Sequence, residues 1–191
     1  TKEKLQSFLA FLEKWNRSIN LIGKSQDAWA RHIEDSAQLL HASYHMEGLW
    51  LDLGSGGGLP GLVVAIILQE SSPNATCTLL ESDERKAIFL ETAARSLAVP
   101  ITVLNTRIET APPQNARTIS ARALAPLPKL LPLASRHAAT TSTLLFPKGA
   151  AHLAEIEESR CLGYPAPDIL PSRVDPKSVV LKYEIKGGRF A

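Results

Sequence analysis

Cysteine is scarce in this chain of 191 residues: Cys77 and Cys161 are the two present, and they form no spacing motif. Their scarcity leaves no disulfide framework or thiolate metal cluster to read. Cys77 sits in an apolar, strand-like run and reads as an inert buried thiol. Long hydrophobic runs are missing as well. The longest, Leu62 to Leu68, is closed by Ser71, Ser72 and Pro73, well short of a membrane span. No internal repeat, low-complexity tract or targeting signal is visible, and Thr1 rather than methionine stands first, so a trimmed N-terminus is expected. Charge of one sign is also lacking. Lys and Arg number 21 against 19 Asp and Glu, a formal net charge of +2. With a pI near 8.6, the composition permits a nucleic-acid partner without demanding one. Few cysteines and no signal peptide make the cytoplasm the expected compartment.

What is present fits a globular α/β protein. Hydrophobic residues make up 45% and charged residues 21%, ordinary values for one domain able to bury a full core. The chain is organised around Leu49-Trp50-Leu51-Asp52-Leu53-Gly54-Ser55-Gly56-Gly57-Gly58-Leu59-Pro60-Gly61. The apolar start reads as a buried parallel strand, the glycines as a tight turn, and Pro60 as a first-turn helical residue. Leu62 to Leu68 is apolar nearly all round and reads as a helix buried against a sheet.

Before this stretch, Leu5, Phe8, Leu9, Leu12, Trp15 and Ile19 recur at helical spacing over 3–19. Ser25 or Asp27 can cap a second helix running to about Tyr44. These two helices, within 1–46, form an expected cap on a core of 47–191, the whole counted as one domain. Strands are predicted over 49–53, 75–80, 101–104, 117–121, 142–146 and 179–185. Helices are predicted over 60–70, 83–97, 127–138 and from Lys148-Gly149 through Glu158. This alternation implies a doubly wound, mostly parallel sheet with right-handed crossovers. The segment 160–191 carries Pro165, Pro167, Pro171 and Pro176 before its strand.

The glycine turn alone leaves two cofactors open. Gly56-Gly57-Gly58-Leu59-Pro60-Gly61 satisfies G-x-G-x-x-G, with Glu81 twenty residues past Gly61 for a ribose, the dinucleotide pattern. Asp52, Gly54, Gly56 and Gly58 equally satisfy acid-x-G-x-G-x-G, the pattern of S-adenosylmethionine (SAM) sites. Both place Glu81 on a ribose diol, for which one carboxylate supplies two acceptors.

The rest of the chain separates them. From Trp15 to about Gly149 it resembles the glucose-inhibited division protein B family, bacterial methyltransferases of small-subunit ribosomal RNA acting on guanine N7. The resemblance is carried by Lys14-Trp15-Asn16-Arg17, Ile19-Asn20-Leu21, Arg31-His32-Ile33-Glu34-Asp35-Ser36, the Asp52–Gly61 turn and Thr78-Leu79-Leu80-Glu81-Ser82. It continues through Arg85-Lys86, Phe89-Leu90, Arg107-Ile108-Glu109, Ser120-Ala121-Arg122-Ala123 and Lys148-Gly149. Glu81 stands where an aspartate is more usual, and Pro147 precedes Lys148 where the family tends to be apolar.

The resemblance implies a Rossmann-like, class I SAM methyltransferase with an N-terminal helical cap, acting on guanine 527 of 16S rRNA. It implies SAM contacts at Gly54, Leu59, Glu81, Ile108, Glu109 and Arg122, with Ile108 and Glu109 along the adenine. The 16S rRNA in the small ribosomal subunit is the implied partner, and a cytoplasmic monomer without metal or membrane attachment is expected. Guanine N7 is a lone-pair acceptor, so its methylation requires no general base, and none is obvious; the catalytic residues are unassigned. Cytosine C5 chemistry would need a thiolate nucleophile in a loop, and adenine N6 chemistry an Asn/Asp-Pro-Pro-aromatic motif where Ser120-Ala121-Arg122-Ala123 stands. His32 and Asp35 share a helical face and read as hydrogen-bonding the second helix to the core. Trp15 and Trp29 read as core. Lys14, Arg17, Lys24, Arg31, Arg85, Lys86, Arg107, Arg122 and Lys148 would supply the phosphate footprint if gathered at one mouth. A SAM methyltransferase of another substrate, or a ribosome-binding module with a vestigial pocket, are the alternatives.

Overall fold

The computed structural model describes residues 1–23, 26–43 and 46–191. The chain begins with α1 (Lys2–Trp15), a π-helical turn (Trp29–Glu34) and two short helices, α2 (Asp35–Ala37) and α3 (Leu39–Ala42). There follow β1 (Gly48–Leu53), α4 (Gly61–Ser71), β2 (Ala75–Leu80), α5 (Glu84–Ser96), β3 (Thr102–Leu104) and β4 (Ala116–Ser120). The last third holds α6 (Leu127–His137), β5 (Ala138–Lys148), α7 (His152–Cys161), β6 (Asp168–Pro171), β7 (Val179–Lys186) and β8 (Arg189–Phe190).

All the strands join one sheet in the order β3-β2-β1-β4-β5-β7-β6, with β8 on β7. Pairing is parallel from β3 through β5 and antiparallel from β5 through β7 to its neighbours. The order reverses between β1 and β4, which creates a switch point at the carboxyl ends of those strands, the place where open α/β sheets bind ligands.

Period-2 alternation assigns the core to the two faces. Trp50, Cys77, Leu79 and Leu145 join a cluster with α4, α5 and the N-terminal side chains Leu5, Phe8, Leu12, Ile33 and Leu39. Leu51, Leu53, Leu80, Leu144 and Phe146 join the opposite cluster with Leu127, Leu130 and Leu131 of α6. At α4, every residue from Gly61 to Ile66 is buried, as its all-round apolarity requires.

Four differences from the sequence pattern have local causes. First, α1 stops at Trp15 rather than near Ile19 because the Asn16 side chain takes over. Asn16 Oδ1 accepts from Leu21 N–H (2.8 Å) and Ile22 N–H (3.0 Å) and Nδ2 donates to the Ile22 carbonyl, a side-chain alternative to helix propagation. Second, the expected second helix is broken into a π turn and two short helices. Asp27 caps it by accepting from Ala30 N–H at 2.9 Å; Ser25 and Tyr44, the other expected limits, lie outside the described residues, as does Lys24. Third, β5 extends beyond 142–146 because residues Thr141 to Lys148 all pair with β7. Fourth, β6 arises in the proline-rich segment as a four-residue edge strand, a position that tolerates Pro171.

Candidate functional site

The site is built where β1, β2 and β4 end. Gly54 and Ser55 N–H groups both donate to the Leu80 carbonyl, at 2.8 and 3.1 Å, so the turn after β1 lies across the end of β2. Gly54, Gly56 and Gly58 take positive φ of 66°, 52° and 78°, a left-handed run that favours glycine. Gly61 answers a packing need instead, since a Cβ there would stand 2.7 Å from Asp52 Cβ. Behind the turn, a Cβ on Gly57 would stand 3.2 Å from Leu12 Cδ1, and one on Gly58 3.2 Å from Phe8 Cζ. The rear of the turn is therefore covered by α1.

Asp52 is fully buried and bolts the turn together. Its Oδ2 accepts from Gly61 N–H at 3.1 Å, and its Oδ1 accepts from the Ser120 hydroxyl at 2.7 Å. Ser120 Oγ in turn accepts from the Trp50 indole N–H at 2.9 Å. Burial pushes the Asp52 carboxyl up to about 6, with the hydrogen bonds from Ser120, Ser55 and Gly61 working in the opposite direction.

Glu81 stands just past β2 with 7% of its surface exposed. Its Oε2 accepts from Gly56 N–H and its Oε1 from Asp83 N–H, each at 2.8 Å. The carboxylate is thereby held rigidly across the turn, and each oxygen keeps acceptor capacity beyond its one backbone bond. Asn105 Nδ2 donates to the Glu81 carbonyl at 2.9 Å and fixes the segment after β3 beside it. That segment is also pinned from α6: His137 Nε2 lies 3.0 Å from the Ile108 carbonyl, and Arg136 donates to the Ala111 carbonyl at 3.1 Å.

These pieces surround a cavity of about 270 Å³, just below the roughly 300–1,000 Å³ typical of small-molecule sites. Gly54, Gly56, Glu81, Ile108 and Glu109 line it together with Leu80, Ser82, Lys86, Thr106, Arg107, Ala123 and Leu124. Four of the six residues expected to touch the cofactor are thus brought together. Leu59 and Arg122 are not among the lining residues. Leu59 is buried in the core cluster behind the turn. Arg122 reaches to the N-terminal cap, donating from Nη1 to Asp35 Oδ2 (3.1 Å) and to the Arg31 carbonyl (3.2 Å), with Nη2 3.5 Å from His32 Nδ1. Burial and the adjacent Arg122 and Arg31 charges hold His32 down at about 4, so it is neutral and structural.

Arg107 and Lys86 reach the cavity wall although the sequence pattern suggests them only as phosphate contacts. Leu124 carried no signal, because nothing in its neighbours marks an aliphatic residue as cavity-lining. Lys148, another candidate phosphate contact, is instead paired with Glu155 at 2.7 Å. Trp15 packs against Phe11 and Phe89, with centroids 5.8 and 5.6 Å away. Cys77 is buried and its thiol is pushed up to about 12, which removes it as a nucleophile. No group of three or more potential metal ligands occurs among the described residues.

The strand order, the glycine turn at its switch point and the acid after β2 define a Rossmann-like, class I SAM-dependent methyltransferase. Among solved structures, a SAM-dependent methyltransferase from Aquifex aeolicus superposes with a TM-score of 0.64 at 13% identity, over 93% of this chain and 98% of that one. A 16S rRNA N2 G1207 methyltransferase from T. thermophilus, solved with AdoMet and guanosine, superposes with a TM-score of 0.58 at 14% identity, over 80% of this chain and 39% of that one. The family model for GidB, rRNA small subunit methyltransferase G, matches residues 1–162, and the chain belongs to that family. Curated relatives named ribosomal RNA small subunit methyltransferase G include one from Cereibacter sphaeroides strain ATCC 17029, 50% identical over 95% of this chain and 89% of its own. Another from Ruegeria sp. strain TM1040 is 47% identical over 98% and 91%.

Proposed function

We propose that this SAM-dependent rRNA methyltransferase transfers a methyl group to N7 of guanine 527 in the 16S RNA of the small ribosomal subunit. The family match over residues 1–162 carries the rRNA methyltransferase part of this reading, the cavity supports it, and the choice of N7 and position 527 follows the family resemblance. The residues present fit SAM: Glu81 offers two fixed oxygens to a ribose diol, Gly56 adds no side chain to the turn, and Ile108 and Glu109, which the family resemblance assigns to the adenine, line the same cavity. When bound, SAM supplies a methyl group on a cationic sulfur. The new bond is N7–CH₃, the broken one is S–CH₃, and the positive charge passes from sulfur to the guanine as S-adenosylhomocysteine leaves.

N7 carries no proton to remove. Glu81, one of the two carboxylates on the cavity wall, is held by Gly56 and Asp83 N–H groups, a binding arrangement rather than a proton relay. The chain's contribution is then alignment of the reacting atoms in a site shielded from water, rather than acid–base chemistry. Leu59 would act on the cofactor from behind the turn, and Arg122 through the loop that follows β4. Exposed Lys14, Arg17, Arg31 and Arg85 are available for phosphates. The reading takes residues 1–191 as a single working unit, with 1–46 capping 47–191, acting as a monomer in the cytoplasm. No helix among the described residues is long and apolar enough to cross a membrane.

Transfer of tritium from labelled SAM to small subunits lacking the modification tests the proposal. Label at N7 of guanine 527 is expected. Incorporation at another base or into protein would replace the substrate, and stabilisation by NAD but not by SAM in a thermal shift would replace the cofactor.

A further inference from the structure

The loop between β4 and α6, residues 121–126, supplies Ala123 and Leu124 to the cavity wall. It is not a relaxed loop. Ala123 sits at φ 54°, a left-handed conformation that costs a non-glycine residue. Leu124 lies so close over Gly54 that a Cβ on that glycine would stand 2.5 Å from Leu124 Cδ1. Something outside the cavity has to hold this geometry.

The far end of the loop is clasped by one ion pair. Lys148, the last residue of β5, is 11% exposed in its side chain, and Glu155, in the first turn of α7, is 23% exposed. Lys148 Nζ donates to the Ala125 carbonyl at 2.8 Å and to Glu155 Oε2 at 2.7 Å. The same Glu155 oxygen accepts from Leu127 N–H at 2.7 Å. The pair therefore takes the backbone on both sides of Pro126, one acceptor before it and one donor after it, and Pro126 itself has no N–H to offer. Neither Lys148 nor Glu155 lines the cavity.

We infer that Lys148 and Glu155 are positioning residues for methyl transfer: together they fix the 121–126 loop so that Leu124 closes the cavity over Gly54. Lys148 is then not a phosphate contact, since its ammonium is held by a carbonyl and a carboxylate within the protein. The pair acts through loop position, so the effect falls on reactive alignment more than on stability. The inference rests on the methyltransferase reading of the same cavity.

The test uses the full chain with SAM and small subunits lacking the modification. Lys148→Met is expected to lower kcat by about 10- to 100-fold, while melting stays above the assay temperature. Lys148→Arg, which keeps charge and donors, restores most of the rate. Leu124→Ala, which leaves the ion pair intact, reproduces the loss of kcat and covers the case in which Lys148→Met does not fold. Turnover within about twofold of wild type in both Lys148→Met and Leu124→Ala overturns the inference, as does a loss that follows melting temperature alone. A uniform weakening of RNA binding with kcat unchanged overturns it in favour of a phosphate contact. If the wild-type chain itself binds no SAM, the methyltransferase reading fails first, and the two failures are separable.

Discussion

Arg122 and Asp35 meet at 3.1 Å across the boundary between the strand ends and the N-terminal helices, each with 19% of its side chain exposed. Arg122 also donates to the Arg31 carbonyl, and Gln38 Nε2 donates to Asp35 Oδ1 at 2.8 Å. Gln38 Oε1 accepts from Arg173 N–H in the segment between β6 and β7 at 2.9 Å. One ion pair therefore gathers the loop after β4, the cap and the C-terminal third.

Arg122→Ala is expected to destabilise the fold by about 2 kcal/mol, the cost of removing a charged partner from half-buried hydrogen bonds. A double-mutant cycle with Asp35→Asn in urea unfolding should show coupling on the order of 1 kcal/mol. Unaltered stability with weakened SAM binding would instead place Arg122 on the cofactor alone.

Glu81→Ala removes the two oxygens offered to the ribose and the two backbone tethers at Gly56 and Asp83. SAM affinity should fall by about 10- to 100-fold, the worth of one to two charge-assisted hydrogen bonds. Isothermal titration measures it directly, and an unchanged Kd would support a vestigial pocket.

Gly61→Ala forces a methyl group against Asp52 Cβ at 2.7 Å, between a strand end and a helix start that have no slack. The expected cost is about 1–3 kcal/mol from overpacking, read as a lowered denaturant midpoint.

His32 and Asp52 predict opposing pH dependence. His32 is held at about 4 in the fold against an ordinary 6.5. The unfolded chain thus binds the extra proton between those values, and stability is lost as pH falls from 6.5 to 4. Asp52 is raised to about 6 from an ordinary 3.8, so the folded chain binds the extra proton and stability is gained as pH falls from 6 to 4. Each contributes about 3 kcal/mol over its window, and in the wild type they nearly cancel. Relative to wild type, Asp52→Asn should lose about 3 kcal/mol more between pH 6.5 and 4, and His32→Gln about that much less, in urea unfolding at stepped pH.

The interior strands were legible because burial on both faces makes β1 and β2 read as apolar runs, and α4 for the same reason. The edges were not. β6 has four residues among prolines, and its existence depends on β7 lying beside it rather than on its own composition. In the site, Gly54 and Glu81 could be read because a turn and a strand end dictate their residue types locally. Ile108 and Glu109 came from the family resemblance, and the fold sets them on the same wall. Arg122 and Lys148 were visible as charges but not as partners. Asp35 is 87 residues from Arg122, and whether a cation faces solvent, a ligand or a carboxylate is decided by topology. Leu124 was invisible on both counts.

Phe8 and Leu12 press on the back of the turn whose front faces the cavity. Truncation of either side chain is therefore expected to loosen the turn from behind. Phe8 and Leu12, more than forty residues before Gly56 in the chain, thus belong to the walls that shape the turn as much as its own glycines do.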